Sequence, residues 1–355
     1  MSKLLEMREK FPQTEIWMDS FHVEDHEYGL SQGITGITTS PTWISRMMCN
    51  EKGNEHKEVI QALQKEHPEY NEQEMTWAWV LEMGKRRSPV MMDLWKQNNP
   101  TIGRFSIQTA IYDYNNAEKM IEMAKQVDAC NENMQVKIPA TSAGIKAIEE
   151  VTYLGISAMA TLCFTVDQAV EVAKAFENGL NRRTKEGLSN ENINPVCAVL
   201  LGMNDDWTKM YAENNNIVID PACYNYAGVT ICKKIYKIFK ERNYRARILV
   251  AYYRHQLHWS EFIGGDVIMT IPAKWQRRFE TCDVEIKDNM SQDVPEVIMN
   301  QLNKLPAFRV AYNEGSLAKS DYNTFGPINL TIHYFTEEYD KAVKMTRNYM
   351  IPKPF

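Results

Sequence analysis

The sequence predicts an α/β fold: a single (β/α)8 TIM barrel with a helical insertion after the second strand and a C-terminal extension. Three observations carry that prediction. Short β-branched or apolar runs recur eight times, segments of helical period separate them, and 355 residues suit one barrel with additions.

The predicted strands are 15–19, 34–39, 104–110, 136–139, 158–164, 196–201, 247–252 and 267–271. Each is followed by a turn or polar residue and usually by a helix. The segment 143–154 is one such helix: Ile145, Ile148, Val151 and Leu154 stand at spacings of three and read as a core-facing stripe, and Gly155 ends it as a C-cap. Residues 51–103 carry two helical patterns, the second with Trp77, Trp79, Trp95 and several methionines, which read as packing or a subunit contact. Residues 275–355 follow the eighth strand. Both segments are read as additions to one barrel domain over 1–355.

Charge and composition exclude several partners. Forty basic against 46 acidic side chains give a formal charge of −6, with no long basic block to neutralise phosphates, so neither nucleic acid nor an anionic membrane surface is expected. The longest apolar run, 196–203, is far short of the roughly 20 residues that span a bilayer. The first ten residues alternate apolar and charged side chains and lack the continuous apolar stretch of a secretory signal. Seven cysteines without a C-x-x-C pair suit reduced thiols in a cytoplasm. No H-E-x-x-H motif and no cysteine-based ligand set occurs, so neither a metal nor another cofactor is expected. A homo-oligomer is left open.

Catalytic groups of such a barrel stand at the C-terminal ends of strands, which singles out Lys137 within Val136-Lys137-Ile138-Pro139-Ala140-Thr141. An apolar setting disfavours the ammonium form, lowers the pKa and leaves an amine able to attack a carbonyl. Taken alone, a strand-end lysine reads first as one that reaches solvent or pairs with a carboxylate.

The surroundings of Lys137 are more specific. Val136 to Ile148, followed by Leu154-Gly155-Ile156 and Ala160-Thr161-Leu162-Cys163-Phe164-Thr165-Val166-Asp167-Gln168-Ala169, resembles the transaldolase family at its Schiff-base strand and the strand after it. The likeness continues at Ile16-Trp17-Met18-Asp19, at Gly33-Ile34-Thr35-Gly36-Ile37-Thr38-Thr39-Ser40-Pro41-Thr42, and at Asn204-Asp205-Asp206-Trp207. It extends to Ala251-Tyr252-Tyr253-Arg254 and Gly265-Asp266-Val267. The resemblance implies an eight-stranded barrel and class I aldol chemistry without a metal. It makes Lys137 the imine-forming residue, Asp19 the group that moves a proton at the hydroxyl beside the breaking C–C bond, and Thr161 a positioner of water.

The departures from that family are also informative. Ser40 stands where most transaldolases have asparagine, and Gln108 where they have a glutamate on the third strand. The related fructose-6-phosphate aldolases share this glutamine, which orients water but cannot exchange a proton as a carboxylate does. Ala198 replaces a serine, Met159 an asparagine, and Leu200 a tyrosine of the aldolases. Of the two arginines and one serine that hold the substrate phosphate in the family, Arg254 remains, the serine position is Tyr252 and the other arginine position is Met203. Replacement cations from His255 or His258 are one expectation, although a histidine near a loop more often reads as a surface or packing residue. Losing a charge-assisted contact costs about 1.5–3 kcal/mol, so phosphorylated hexuloses are expected to be poorer substrates than neutral or monoanionic analogues.

The functional expectation is a Schiff-base enzyme of carbohydrate metabolism that transfers or releases a dihydroxyacetone unit from a ketose, a sugar phosphate or related sugar, with Lys137, Asp19, Thr161 and Gln108 as catalytic residues. Ser40, Arg254, Tyr252 and Ala198 are the expected substrate-binding positions. The alternative is a catalytically idle barrel that binds a sugar or serves as an assembly subunit.

Overall fold

A computed structural model describes residues 2–50, 54–98 and 101–351. Its centre is a closed barrel of parallel strands: β1 (Glu15–Asp19), β2 (Gly36–Thr38), β3 (Arg104–Gln108), β4 (Met134–Pro139), β5 (Ala158–Cys163), β6 (Val196–Leu200), β7 (Arg247–Ala251) and β8 (Val267–Ile271). Each strand pairs with the next, and β8 returns to β1 through the register Trp17↔Thr270. β2 is shorter than the sequence suggests, although Thr35 N–H still donates to Ile16 O (2.8 Å) and Thr39 N–H to Ser106 O (3.1 Å). Its glycine has a packing reason: a Cβ on Gly36 would lie 2.4 Å from Cε2 of Trp17, whose ring fills the barrel beside it.

The interior is layered, because alternate residues of each strand point inward. At the N-terminal end Glu15 pairs with Arg247 and accepts from Thr35 Oγ1 (2.7 Å) and Trp17 Nε1 (3.2 Å). Above it lies an apolar layer of Trp17, Met159, Val196, Ala198, Leu249, Ala251 and Ile268. The next inward residues toward the C-terminal end are polar: Asp19, Thr38, Gln108, Lys137, Thr161 and Thr270. The apolar layer thus separates a structural ion pair from the groups that can do chemistry.

The helix after β4, Ser142–Tyr153, corrects the expected stripe. It buries Gly144, Ala147, Ile148, Val151 and Thr152, the 3.6-residue face, whereas Leu154 is its C-cap and 43% exposed. A strict spacing of three drifts off the buried face within two turns. Gly155 follows at φ +90, the left-handed conformation that a C-cap glycine supplies.

In the insertion, helices Glu55–Glu66 and Glu72–Arg87 are followed by a 3-10 turn, Ser88–Met91, and a third helix, Met92–Asn98. Pro89 explains the break, since it has no N–H to continue the α-helical ladder. Residues 51–53 and 99–100 of the insertion lie outside the described residues. The second helix begins with a capping box in which Asn71 Oδ1 accepts from Glu74 N–H (3.0 Å) and Glu74 Oε2 from Asn71 N–H (2.9 Å). Trp79 is fully buried there, as packing predicts.

The C-terminal extension ends in the helix Gly326–Met350, which buries Ile328, Ile332, Phe335, Tyr339, Ala342 and Val343. Ser45 Oγ donates to Glu338 Oε2 (2.7 Å) and Thr76 Oγ1 to Thr346 Oγ1 (2.8 Å), tying this helix to Pro41–Asn50 and to the insertion. It therefore lies against the C-terminal mouth of the barrel. All seven cysteines are free. Among the described residues no helix is long and apolar enough to cross a membrane.

Candidate active site

Lys137 and Asp19 face one another electrostatically at the top of the barrel. Alternation along β4 turns Lys137 inward, where it is 8% exposed and donates from Nζ to the carbonyl oxygen of Thr39 (3.1 Å). Met159 lies directly across from it in the β4–β5 register and Gln108 in the β3–β4 register. Burial disfavours the ammonium and lowers the lysine pKa, with the Asp19 carboxylate pulling the other way. The same burial raises the Asp19 pKa, and the charge of Lys137, then Trp43, Thr38 and Arg46, draw it back. Thr38 Oγ1 donates to Asp19 Oδ1 (3.1 Å) and shares a short 2.5 Å contact with Thr270 Oγ1.

Near the lysine is a group of unpaired polar atoms. Both amide atoms of Gln108, Oγ1 of Thr161 and Oγ of Ser106 are buried and make no hydrogen bond among the described residues. Buried polar groups in native proteins are ordinarily satisfied, so these atoms mark where a substrate hydroxyl or a water is bonded. β5 is irregular at this point: its register with β6 shifts between Ala160 and Cys163, and Leu162 adopts φ +57. Such bulges re-aim side chains beside functional sites.

Above these groups is a cavity of about 330 Å3. Of the residues singled out from sequence, Asp19, Ser40, Lys137, Tyr252 and Arg254 line it. Gln108 and Thr161 are buried and do not line it: Gln108 pairs in register with Lys137 and Thr161 with Pro139, while Ala198 belongs to the apolar layer. Leu200 lines the wall.

The structure also brings in residues that sequence reasoning missed. Trp43 and Arg46 come from the helix Pro41–Asn50, Lys274 and Trp275 from the segment after β8, and Tyr334 and Phe335 from the C-terminal helix. A signal existed for Arg46: it follows Thr42 by four residues on a helix that starts at a site strand, so both share one face. No local signal marks Tyr334 or Phe335.

The β6 and β7 ends shape the far side. Gly202 N–H donates to Tyr252 O (2.9 Å), and a Cβ on Gly202 would lie 2.3 Å from that oxygen. Tyr252 itself adopts φ +71, a rare conformation for a bulky residue. Its ring lies 4.6 Å from the Arg254 guanidinium, which pairs with Asp206 (Nη2–Oδ2 2.7 Å).

His255 and His258 do not supply replacement cations. Both turn to Asp205, whose Oδ2 is 2.9 Å from His255 Nε2 and 2.8 Å from His258 Nε2. Among the described residues these three form a group whose ligand atoms could surround a metal ion. Their hydrogen bonding opposes that use. His258 Nδ1 accepts the Arg254 N–H (3.1 Å), so the ring proton is on Nε2 and is donated to Asp205; Asp205 Oδ1 accepts from Gly228 N–H (2.8 Å). The cluster instead fixes the backbone that carries Arg254.

Comparison with known proteins decides the family. Residues 16–321 match the family model described as Transaldolase/Fructose-6-phosphate aldolase. The chain belongs to that family. It is 24% identical over 262 residues to a probable transaldolase of Carboxydothermus hydrogenoformans, covering 73% of this chain and 87% of that protein. A probable transaldolase of Petrotoga mobilis is 26% identical over 295 residues, covering 82% and 95%. The match to a transaldolase of Prochlorococcus marinus is 29% identical but covers 51% of this chain and 47% of that protein, about half the length of each.

Membership in the transaldolase/fructose-6-phosphate aldolase family makes the chain an enzyme of the aldolase-type transferase class. The matched span begins at the second residue of β1, contains the other seven strands, and includes every candidate site residue named from sequence. Arg46 lies inside it; Tyr334 and Phe335 lie beyond it.

Proposed function

We propose that the chain cleaves a ketose through an imine on Lys137 and transfers or releases its dihydroxyacetone unit. The observation that carries this reading is the buried lysine beside a half-buried carboxylate, both lining one cavity, on the strand where the family places its chemistry. The neutral amine adds to the ketone carbon and water leaves, giving an iminium. Asp19 takes the proton from the hydroxyl on the β carbon, the bond between the α and β carbons breaks, its electron pair forms the enamine double bond as the iminium pair moves to nitrogen, and the β carbon departs as an aldehyde. The enamine left on Lys137 then attacks an aldehyde acceptor or takes a proton, and hydrolysis frees the lysine.

Gln108 and Thr161 supply hydrogen bonds for the water that must leave and return. An amide cannot carry a proton in that exchange, which favours a water positioned by side chains and a proton handled by Asp19. Retention of Lys137 and Asp19 in one charged cavity supports catalysis over idle binding. The test is aldehyde release from a ketose by the wild type, Lys137→Ala and Asp19→Asn. Removing the electron sink is expected to lower kcat by at least about three orders of magnitude. Activity that survives in Lys137→Ala would assign the chemistry to another group.

A further inference from the structure

The cavity above Lys137 adjoins a second one, and four residues line both: Arg46, Tyr252, Arg254 and Tyr334. Met203, at the position where the family carries its other arginine, lines only the second. The shared residues mark where the far end of a substrate held on Lys137 arrives.

Charge at this junction is uneven. Arg254 donates from Nε and Nη2 to Asp206, so that pair is close to neutral. Arg46 has no such partner: its guanidinium stands 5.0 Å from the Trp43 ring, and no carboxylate pairs with it among the described residues. Its positive charge nevertheless reaches the site, since it acts on Asp19. Thr42, one turn earlier on the same helix, donates to the Tyr334 phenol (3.4 Å), which stands beside Arg46 in both cavities. A guanidinium is weakly hydrated and presents a planar fork, so it suits phosphate oxygens at a half-open site.

We infer that Arg46 is a specificity-determining residue that binds a phosphate monoester at the far end of the substrate together with Arg254, supplying the cation that Met203 does not. This rests on the Lys137 reading above. It also reverses the sequence expectation of poor phosphorylated substrates, which counted Arg254 alone.

The test compares kcat/KM for fructose 6-phosphate and for fructose in the wild type, Arg46→Ala and Arg46→Lys. Taking the ratio of the two substrates cancels any effect that Arg46 has on Asp19. Arg46→Ala is expected to lower that ratio about ten- to hundredfold, chiefly through KM, and Arg46→Lys to regain part of it. Inorganic phosphate is expected to bind Arg46→Ala correspondingly more weakly in calorimetry. An unchanged ratio overturns the inference, as does an equal loss on both substrates, which would assign Arg46 to Asp19 instead. Should no ketose react at all, the Lys137 reading fails, and the phosphate titration alone decides the role of Arg46.

Discussion

Lys137 Nζ donates to the main-chain carbonyl oxygen of Thr39, 3.1 Å away, while the preceding residue, Thr38, donates its hydroxyl to Asp19. Two consecutive residues at the end of β2 therefore hold both partners of the proposed reaction. One orients the amine through backbone; the other orients the carboxyl through a side chain.

Thr38→Val removes the hydroxyl that holds Asp19 and leaves Thr270 Oγ1 without its close partner. The lost hydrogen bond had favoured the carboxylate, so the Asp19 pKa rises further and the acid limb of the kcat/KM profile moves to higher pH. A stability loss of about 1–3 kcal/mol accompanies it. Thr38→Ser is expected to restore the limb; a profile that stays in place in Thr38→Val would remove Asp19 from the proton transfer.

Burial of Lys137 predicts a pH-dependent stability cost. Its folded pKa lies below the usual 10.5, so between those two values the unfolded chain binds more protons than the folded one, and stability rises with pH. Lys137→Met is therefore expected to melt above the wild type near neutral pH, with a gap that narrows as the pH approaches 10.5. Melting curves across that range check this. A gap independent of pH would mean that the lysine is not desolvated in the folded protein.

Gln108 faces Lys137 across the β3–β4 register and cannot carry a proton. Gln108→Glu is expected to raise transfer to an aldehyde acceptor relative to simple cleavage, by severalfold. Product ratios with and without acceptor measure it, and an unchanged ratio would place control of the water elsewhere.

Gly202 allows β6 and β7 to close on one another, because the atom that an added Cβ meets at 2.3 Å is backbone, Tyr252 O, and cannot rotate away. Gly202→Ala is expected to cost about 1–3 kcal/mol and to displace Tyr252 and Arg254. KM for a phosphorylated ketose should rise more than kcat falls. An unaltered KM would show that the Tyr252–Arg254 segment does not touch the substrate.

Sequence made the barrel legible because a parallel strand buried on both faces is a short apolar run, and all eight such runs became strands. Lys137 stood out for a related reason: a charge among apolar neighbours near a strand end is conspicuous, whereas Asp19 was marked by the family resemblance. Arg46 offered only its place one turn after Thr42, because an exposed arginine on a helix resembles any solvated side chain until the cavity it lines is seen. Tyr334 and Phe335 depend on a helix nearly two hundred residues from Lys137 folding over the barrel mouth, a contact that no local pattern encodes. His255 and His258 form an H-x-x-H spacing that the expectation of no metal-ligand pattern passed over, and their carboxylate partner, 50 residues before His255, has no local signal. The Leu154 error came from reading period three where the helix has 3.6.

The most direct measurement is imine trapping. The protein is incubated with dihydroxyacetone, reduced with borohydride and digested, and the adduct is located by mass spectrometry. The account predicts a single modified lysine, Lys137, and no adduct in Lys137→Met. Modification at another lysine, or none with dihydroxyacetone or any ketose supplied, would contradict it.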